Sequence, residues 1–323
     1  MEKKKKFKLF DMNRDGKGVE KIDEGPKNFK NFFKQFGRKF SKLLSVNLLM
    51  IFMVLPIIIA VMVYIMGPTT PSTGNTLFPT LYGASVMSNS PEVDIMLAVN
   101  SIQLAVPVYN SYVYYIIGAL AIFLVLTFGW QNVGSTYLLR NMVRGDPVFI
   151  ISDYFYAIKK NLRQGFIMGL LDCLAIFVLV VDFLFFRAKI GSYMLDVMYV
   201  VTVALIIVYV IMRFYIYLQI VTFNLSLWKI LKNAFIFTAL GIKRNVMALL
   251  GIVVIAAINI ALIFLLAPLN IILPLVLPLF YLLATAGFIT VYAAYPVIER
   301  YMIEPELKVP DQVDIESTAE SED

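Results

Sequence analysis

The chain has no histidine and a single cysteine, Cys173, among its 323 residues. One thiol cannot close an internal disulfide, and without imidazole the commonest general base and the usual metal ligand are missing. Zinc enzymes and hydrolases built on Cys-His or Ser-His pairs are thereby excluded. No phosphate-binding glycine loop is present, nor an aspartate pair in a nucleotide-like context, which removes an ATPase. Charge is scarce too: Asp, Glu, Lys and Arg make up 15% of the residues, against about 25% in soluble domains. The expectation is a protein that is not an enzyme and carries no cofactor or metal; carboxylates alone are the one catalytic chemistry left open.

What the sequence does have is apolar length. Hydrophobic residues make up 60% of the chain and the mean hydropathy is +0.79. About 20 consecutive apolar residues cross a bilayer as a helix, and six such runs occur, at 43–66, 112–130, 166–186, 194–217, 246–266 and 271–295. The fold class is therefore all-α, a polytopic integral membrane protein. Six spans put both ends on one side, and 26 of the 28 Lys and Arg fall on that side, leaving only Arg187 and Lys189 opposite. By the positive-inside rule both termini are cytoplasmic. The basic balance, pI about 9.1, then reads as attraction to anionic lipid headgroups, with no nucleic acid as partner.

Residues 1–42 carry fourteen of the basic residues, interleaved with Phe29, Phe32, Phe33, Phe36 and Phe40, a pattern suited to a membrane surface. The membrane domain covers 43–300. Residues 67–111 contain Glu92 and Asp94 but no Lys or Arg, and read as an extracytoplasmic loop in which 93–108 forms a further surface helix or a re-entrant piece. Residues 301–323 are an acidic cytoplasmic tail, disordered by composition.

Between the second and third runs lies the bridge from Gly129 to Asp172. Gly145-Asp146-Pro147 is turn chemistry, and Ser152 with Asp153 can cap a new helix. At 100° per residue Tyr154, Phe155, Ile158 and Leu162 share one arc while Asp153, Lys159, Lys160 and Arg163 oppose them, which predicts an amphipathic surface helix. A second one precedes the fifth run, with Leu227, Leu231, Ala234 and Phe235 opposite Lys229 and Lys232, and Trp228 at the headgroup boundary. Ile158-Lys159-Lys160-Asn161 recurs as Ile242-Lys243-Arg244-Asn245, a weak internal repeat.

Several signatures resemble the YesL family of bacterial integral membrane proteins. They are Gly16-Lys17-Gly18-Val19-Glu20, Asn47-Leu48-Leu49 with Pro56, Gly134-Ser135-Thr136 leading to Val143-Arg144-Gly145, Phe155, Lys160-Asn161 and Leu231-Lys232-Asn233-Ala234. The loop of more than forty residues after Pro56 departs from that family's pattern. The resemblance implies a bacterial plasma-membrane location and an accessory role beside carbohydrate uptake systems.

Three polar features are candidates for function. Asp11, Asn13, Asp15 and Gly16 match the first half of a calcium-binding EF-hand loop, but Ile22 stands where the bidentate Glu belongs, so a solvated turn is expected. Asp172, Asp182 and Asp196 lie within or at the ends of spans, where a carboxylate costs roughly 2.5 to 3.5 kcal/mol and needs a partner or water. Arg187 and Lys189 lie close enough to pair with Asp182 and Asp196, whereas Asp172 is deeper and is the principal candidate for an ion or proton role. Pro268, Asn270, Pro274 and Pro278 break the backbone near the sixth run, either as kinked packing or as a substrate-lining break. Two functions follow: an accessory or regulatory partner of a carbohydrate permease, or a small secondary transporter using Asp172.

Overall fold

The structure is a computed structural model and describes residues 24–67, 69–71, 77–88, 90–96, 107–109, 111–189, 191–269 and 273–305. In chain order its helices are α1 (Phe29–Met66), α2 (Leu77–Ser88), α3 (Ser111–Arg144), α4 (Ile150–Lys160), α5 (Leu162–Ala188), α6 (Tyr193–Thr222), α7 (Leu227–Leu240), α8 (Ile242–Leu266) and α9 (Pro278–Ile298). A π-helical segment, Glu299–Ile303, continues α9. Helices α1, α3, α5, α6, α8 and α9 are each long and apolar enough to cross a membrane. The chain is an all-α multi-pass membrane protein.

The loop after α1 is tied at its base, where Thr69–Pro71 pairs antiparallel with Pro107–Tyr109. Residues 91–96 begin a helix, but most of the expected 93–108 segment lies outside the described residues, as do Asp11, Asn13, Asp15, Gly16 and the acidic tail.

Several helices outrun a bilayer. At 1.5 Å per residue the 38 residues of α1 span about 57 Å, nearly twice a hydrocarbon core of about 30 Å. The surplus lies at the basic face, and there the structure departs from the expectation of a surface-lying amino-terminal segment. Phe32 and Phe36 pack on Phe288 and Tyr292 of α9, while Phe29, Phe33 and Phe40 stay exposed. Helix α6 likewise runs five residues past the expected end at Tyr217, because Leu218, Ile220 and Val221 belong to the protein core.

That core gathers at the basic end of the bundle. It joins Leu43 and Val46 of α1, Leu138 and Met142 of α3, Tyr154 of α4, Met168 of α5, Tyr215 and Leu218 of α6, Ile230 of α7, and Phe288 and Tyr295 of α9. Fewer than one residue in five of the most apolar stretch is buried in the other five spans, against 56% in α9. Helix α9 is therefore the central post, and the others turn most of their length to lipid.

The last span starts at Pro278, later than residue 271, after a 3-10 turn at Ala267–Leu269 and one helical turn at Leu273–Val276. Proline suits the first turn of a helix, where no N–H is needed. Buried Asn47 of α1 serves this end of α9: its Nδ2 donates to the Leu279 carbonyl at 2.5 Å and its Oδ1 accepts from the Ala284 N–H at 2.8 Å. Asn47 thus ties α1 to the first turns of α9.

Both surface helices are present. In α4 the Asp153 carboxylate accepts from the Phe149 N–H at 2.8 Å, closing the helix start without Ser152. Tyr154 and Ala157 face the core while Phe155 is exposed, so the buried stripe is rotated from the predicted arc. The reason is Gly134 of α3. A Cβ there would lie 2.5 Å from the Tyr154 ring, so only glycine admits the tyrosine. In α7 the buried stripe is Ile230, Ala234 and Phe237, with Trp228 and Phe235 outward.

The order spanning helix, surface helix, spanning helix occurs twice, as α3-α4-α5 and α6-α7-α8. Burial recurs 80 positions apart (234 − 154): Tyr154 with Ala234, Ala157 with Phe237, Gly165 with Asn245, Met168 with Ala248. The sequence match of Ile158 with Ile242 is spaced at 84 and falls on opposite sides of the helix break. Asparagine does the same work in both copies, however. Asn161 Nδ2 donates to the Ala157 carbonyl, and Asn245 Nδ2 to the carbonyls of Phe237 and Thr238, closing the end of each surface helix.

Candidate functional site

Helices α5 and α6 form an antiparallel hairpin whose turn passes through Gly191 at φ 127°, a value open to glycine. Helix α3 crosses α5 at very short range. A Cβ on Gly129 would come within 2.0 Å of the Gly165 carbonyl, and one on Gly169 within 2.5 Å of the Gly129 Cα. These glycines serve a contact inside the bundle. The Trp130 indole N–H fixes the crossing by donating to the Leu162 carbonyl at 2.8 Å.

Asp172 lies ten residues into α5, about 15 Å along the helix axis, and is 1% exposed. Its partner is Arg213 of α6, whose Nε is 2.9 Å from Oδ1 and 3.0 Å from Oδ2. The Tyr209 hydroxyl donates to Oδ1 and the Tyr217 hydroxyl to Oδ2, each at 2.7 Å. Tyr209, Arg213 and Tyr217 stand four residues apart, so one stripe of α6 supplies three donors to one carboxylate. Phe128 of α3 covers the guanidinium, its ring centroid 5.4 Å from the Arg213 Cζ. Water is thus replaced by an opposite charge and two hydroxyls, which is what a buried carboxylate requires.

The seal is incomplete on the arginine side. The Arg213 side chain is 29% exposed, and its terminal nitrogens have no protein acceptor among the described residues. The positions 80 residues away from Asp172 and Arg213 are Ile252 and Val133, both apolar, so the pair is an addition to the repeat.

The three candidate aspartates do not converge. Asp196 Oδ1 accepts the Gly191 N–H at 3.1 Å in the first turn of α6, where the helix dipole favours a negative charge. Asp182 makes no hydrogen bond or ion pair among the described residues, and the anticipated pairing of Asp182 and Asp196 with Arg187 and Lys189 is absent there. Lys189 lies over the Phe185 ring instead, at 5.0 Å. Sequence reasoning missed Arg213, Tyr209 and Tyr217 because Arg213 counts as a loop cation under the positive-inside rule. The signal was there in their spacing of four, opposite the one deep aspartate. Among the described residues no group of three Cys, Asp or Glu side chains could hold a metal ion.

A scan of protein-family models found no match, and neither a curated protein nor a solved structure matches the chain.

Proposed function

We propose that the chain is a bacterial plasma-membrane protein of the YesL-like kind, with both termini in the cytoplasm. It acts as an accessory or regulatory partner of a carbohydrate uptake system, contacting a permease and anionic lipid headgroups and catalysing no reaction itself. One observation carries the choice between partner and transporter: both oxygens of Asp172 are taken by Arg213, Tyr209 and Tyr217. A carboxylate whose two oxygens are already held by a guanidinium and two hydroxyls has no free oxygen for a coupling cation, which supports a structural staple over a coupling site.

The transporter reading has a specific observation of its own, the open side of Arg213, whose terminal N–H groups could meet an anionic substrate. Two measurements separate them. The protein, purified in mild detergent from its native membrane, should bring down a permease component, and liposomes containing it alone should show no solute flux. Flux that disappears with Arg213→Gln, together with no permease in the pull-down, would overturn the accessory reading.

A further inference from the structure

The basic face of the bundle holds a cavity of about 720 Å³ between the chain entering α1, the start of α8 and the end of α9. Lys27, Arg144, Arg244 and Arg300 line it, with the buried Tyr295 in its wall. Carboxylates are present, but the one deepest in the fold is already matched. Glu24, whose side chain is 2% exposed, is held by Arg38 and Lys39. Glu299 and Glu304 belong to the last turns, beside Arg300.

The cations are not all spent in the same way. Arg144 pairs with Asp146 through Nε at 3.2 Å, which leaves its terminal nitrogens outside that contact. Among the described residues Arg244 meets a carbonyl, that of Lys27, at 3.3 Å, and Arg300 meets the Tyr301 ring, at 5.7 Å. Neither has a carboxylate partner among the described residues. Tyr295 is 4% exposed, lines the cavity and makes no side-chain hydrogen bond among the described residues. A hydroxyl that lines the cavity without an acceptor among the described residues, beside the half-buried Arg244 and the exposed Arg300, is a donor set without its acceptor.

The backbone is shaped for this as well. Pro296 lies in the cavity wall and lacks the N–H that would bond one turn back, and the helix then widens into its π-helical turn. That irregularity places Glu299, Arg300 and Ile303 around the opening.

We propose that this cavity binds a phosphate-bearing ligand, its oxygens taken by Arg244, Arg300 and the Tyr295 hydroxyl. Guanidinium groups match phosphate oxygens two at a time, and the volume admits a phosphorylated small molecule or a lipid headgroup entering from the membrane edge. Both sources offer the same chemistry. The site is independent of the role argued above and of Asp172.

The test uses the full chain in nanodiscs of phosphatidylcholine, with thermal unfolding as the readout. One arm adds glycerol 3-phosphate; the other replaces a quarter of the lipid with phosphatidylglycerol. Stabilisation that saturates in the first arm assigns a soluble ligand, and stabilisation in the second alone assigns a headgroup. Arg300→Gln and Tyr295→Phe should raise the half-saturating concentration about ten-fold or more in the first case, as loss of one charged hydrogen bond does, and should remove the stabilisation in the second. Lys159→Gln, on the exposed side of α4, should not change it. Arg300 is exposed, so its replacement leaves the fold intact even where Arg244→Gln does not. No stabilisation in either arm, or an equal loss with Lys159→Gln, would overturn the site.

Discussion

Asp172 and Arg213 form an ion pair between two adjacent spans, the carboxylate side chain fully buried and the guanidinium bridging both of its oxygens. Breaking such a pair from one side strands a charge in low dielectric, which costs about 3 to 5 kcal/mol, whereas replacing both partners by apolar residues of similar size is often near neutral. Asp172→Asn should therefore destabilise the purified protein strongly, and Asp172→Leu with Arg213→Met should recover part of the loss, the Tyr209 and Tyr217 hydroxyls still lacking their acceptor. Unfolding in a graded denaturing detergent measures all three forms. A double variant no more stable than Asp172→Asn would show that the pair does more than neutralise itself.

The crossing of α3 and α5 predicts a contrast between two glycines. Gly129→Ala places a methyl 2.0 Å from a backbone carbonyl, with no flexible side chain to give way, so the helices must separate. A loss of about 1 to 3 kcal/mol follows, or more, since the rigid Trp130 contact is strained with it. Gly37→Ala in α1 meets nothing within 4 Å and should be neutral or stabilise by up to about 1 kcal/mol through better helix propensity. Equal behaviour of the two in detergent unfolding would mean that the crossing is looser than described.

How much of this was legible in the sequence depends on what kind of force is at work. Burial against lipid is a one-residue property, and hydropathy placed all six spans, while the 100° pattern of apolar and basic residues placed both surface helices. Contacts between helices are properties of pairs. Phe155 and Tyr154 are indistinguishable by hydrophobicity, and the decision that Tyr154 turns inward is made by Gly134 on another helix. Gly165 and Gly169 meet Gly129 of another helix, a pairing that no single stretch of sequence states. Asp172 was legible as a problem, and its solution was written as Tyr209, Arg213 and Tyr217. Reading it required treating an arginine near a span end as part of the membrane interior.

Acidification should loosen the amino-terminal clasp. Glu24 is joined to Lys39 and Arg38, and Lys39 also donates to the Met142 carbonyl at the end of α3. Burial pushes the Glu24 carboxyl up, but the bonds and charges of Lys39 and then Arg38 outweigh it and hold it below its ordinary value of 4.5. A depressed value in the folded state adds stability that is full above pH 4.5 and is lost as pH falls through the folded value. The wild type should therefore lose stability relative to Glu24→Gln as pH drops below 4.5, and exceed it above. Melting curves of both proteins across that window decide the matter; parallel curves would remove Glu24 from the clasp.

Orientation in the membrane gives the last prediction. The ends of α3, α6 and α9 and the surface helices α4 and α7 share one face, and there Lys159, Lys160, Lys229, Lys232, Lys243 and Arg244 lie beside the spans. On the other face the described residues offer only Arg187 and Lys189, together with Glu92, Asp94 and Asp196. Moving Arg213 from the loop count into the membrane interior reduces this asymmetry by one charge and leaves its sign untouched. Because basic loops resist translocation, the crowded face should stay in the cytoplasm. In a Cys173→Ala background, Ser88→Cys on α2 should react with a membrane-impermeant maleimide on intact cells, and Lys159→Cys on α4 only after permeabilisation. Labelling of Lys159→Cys on intact cells would invert the topology and move the phosphate site to the outer surface.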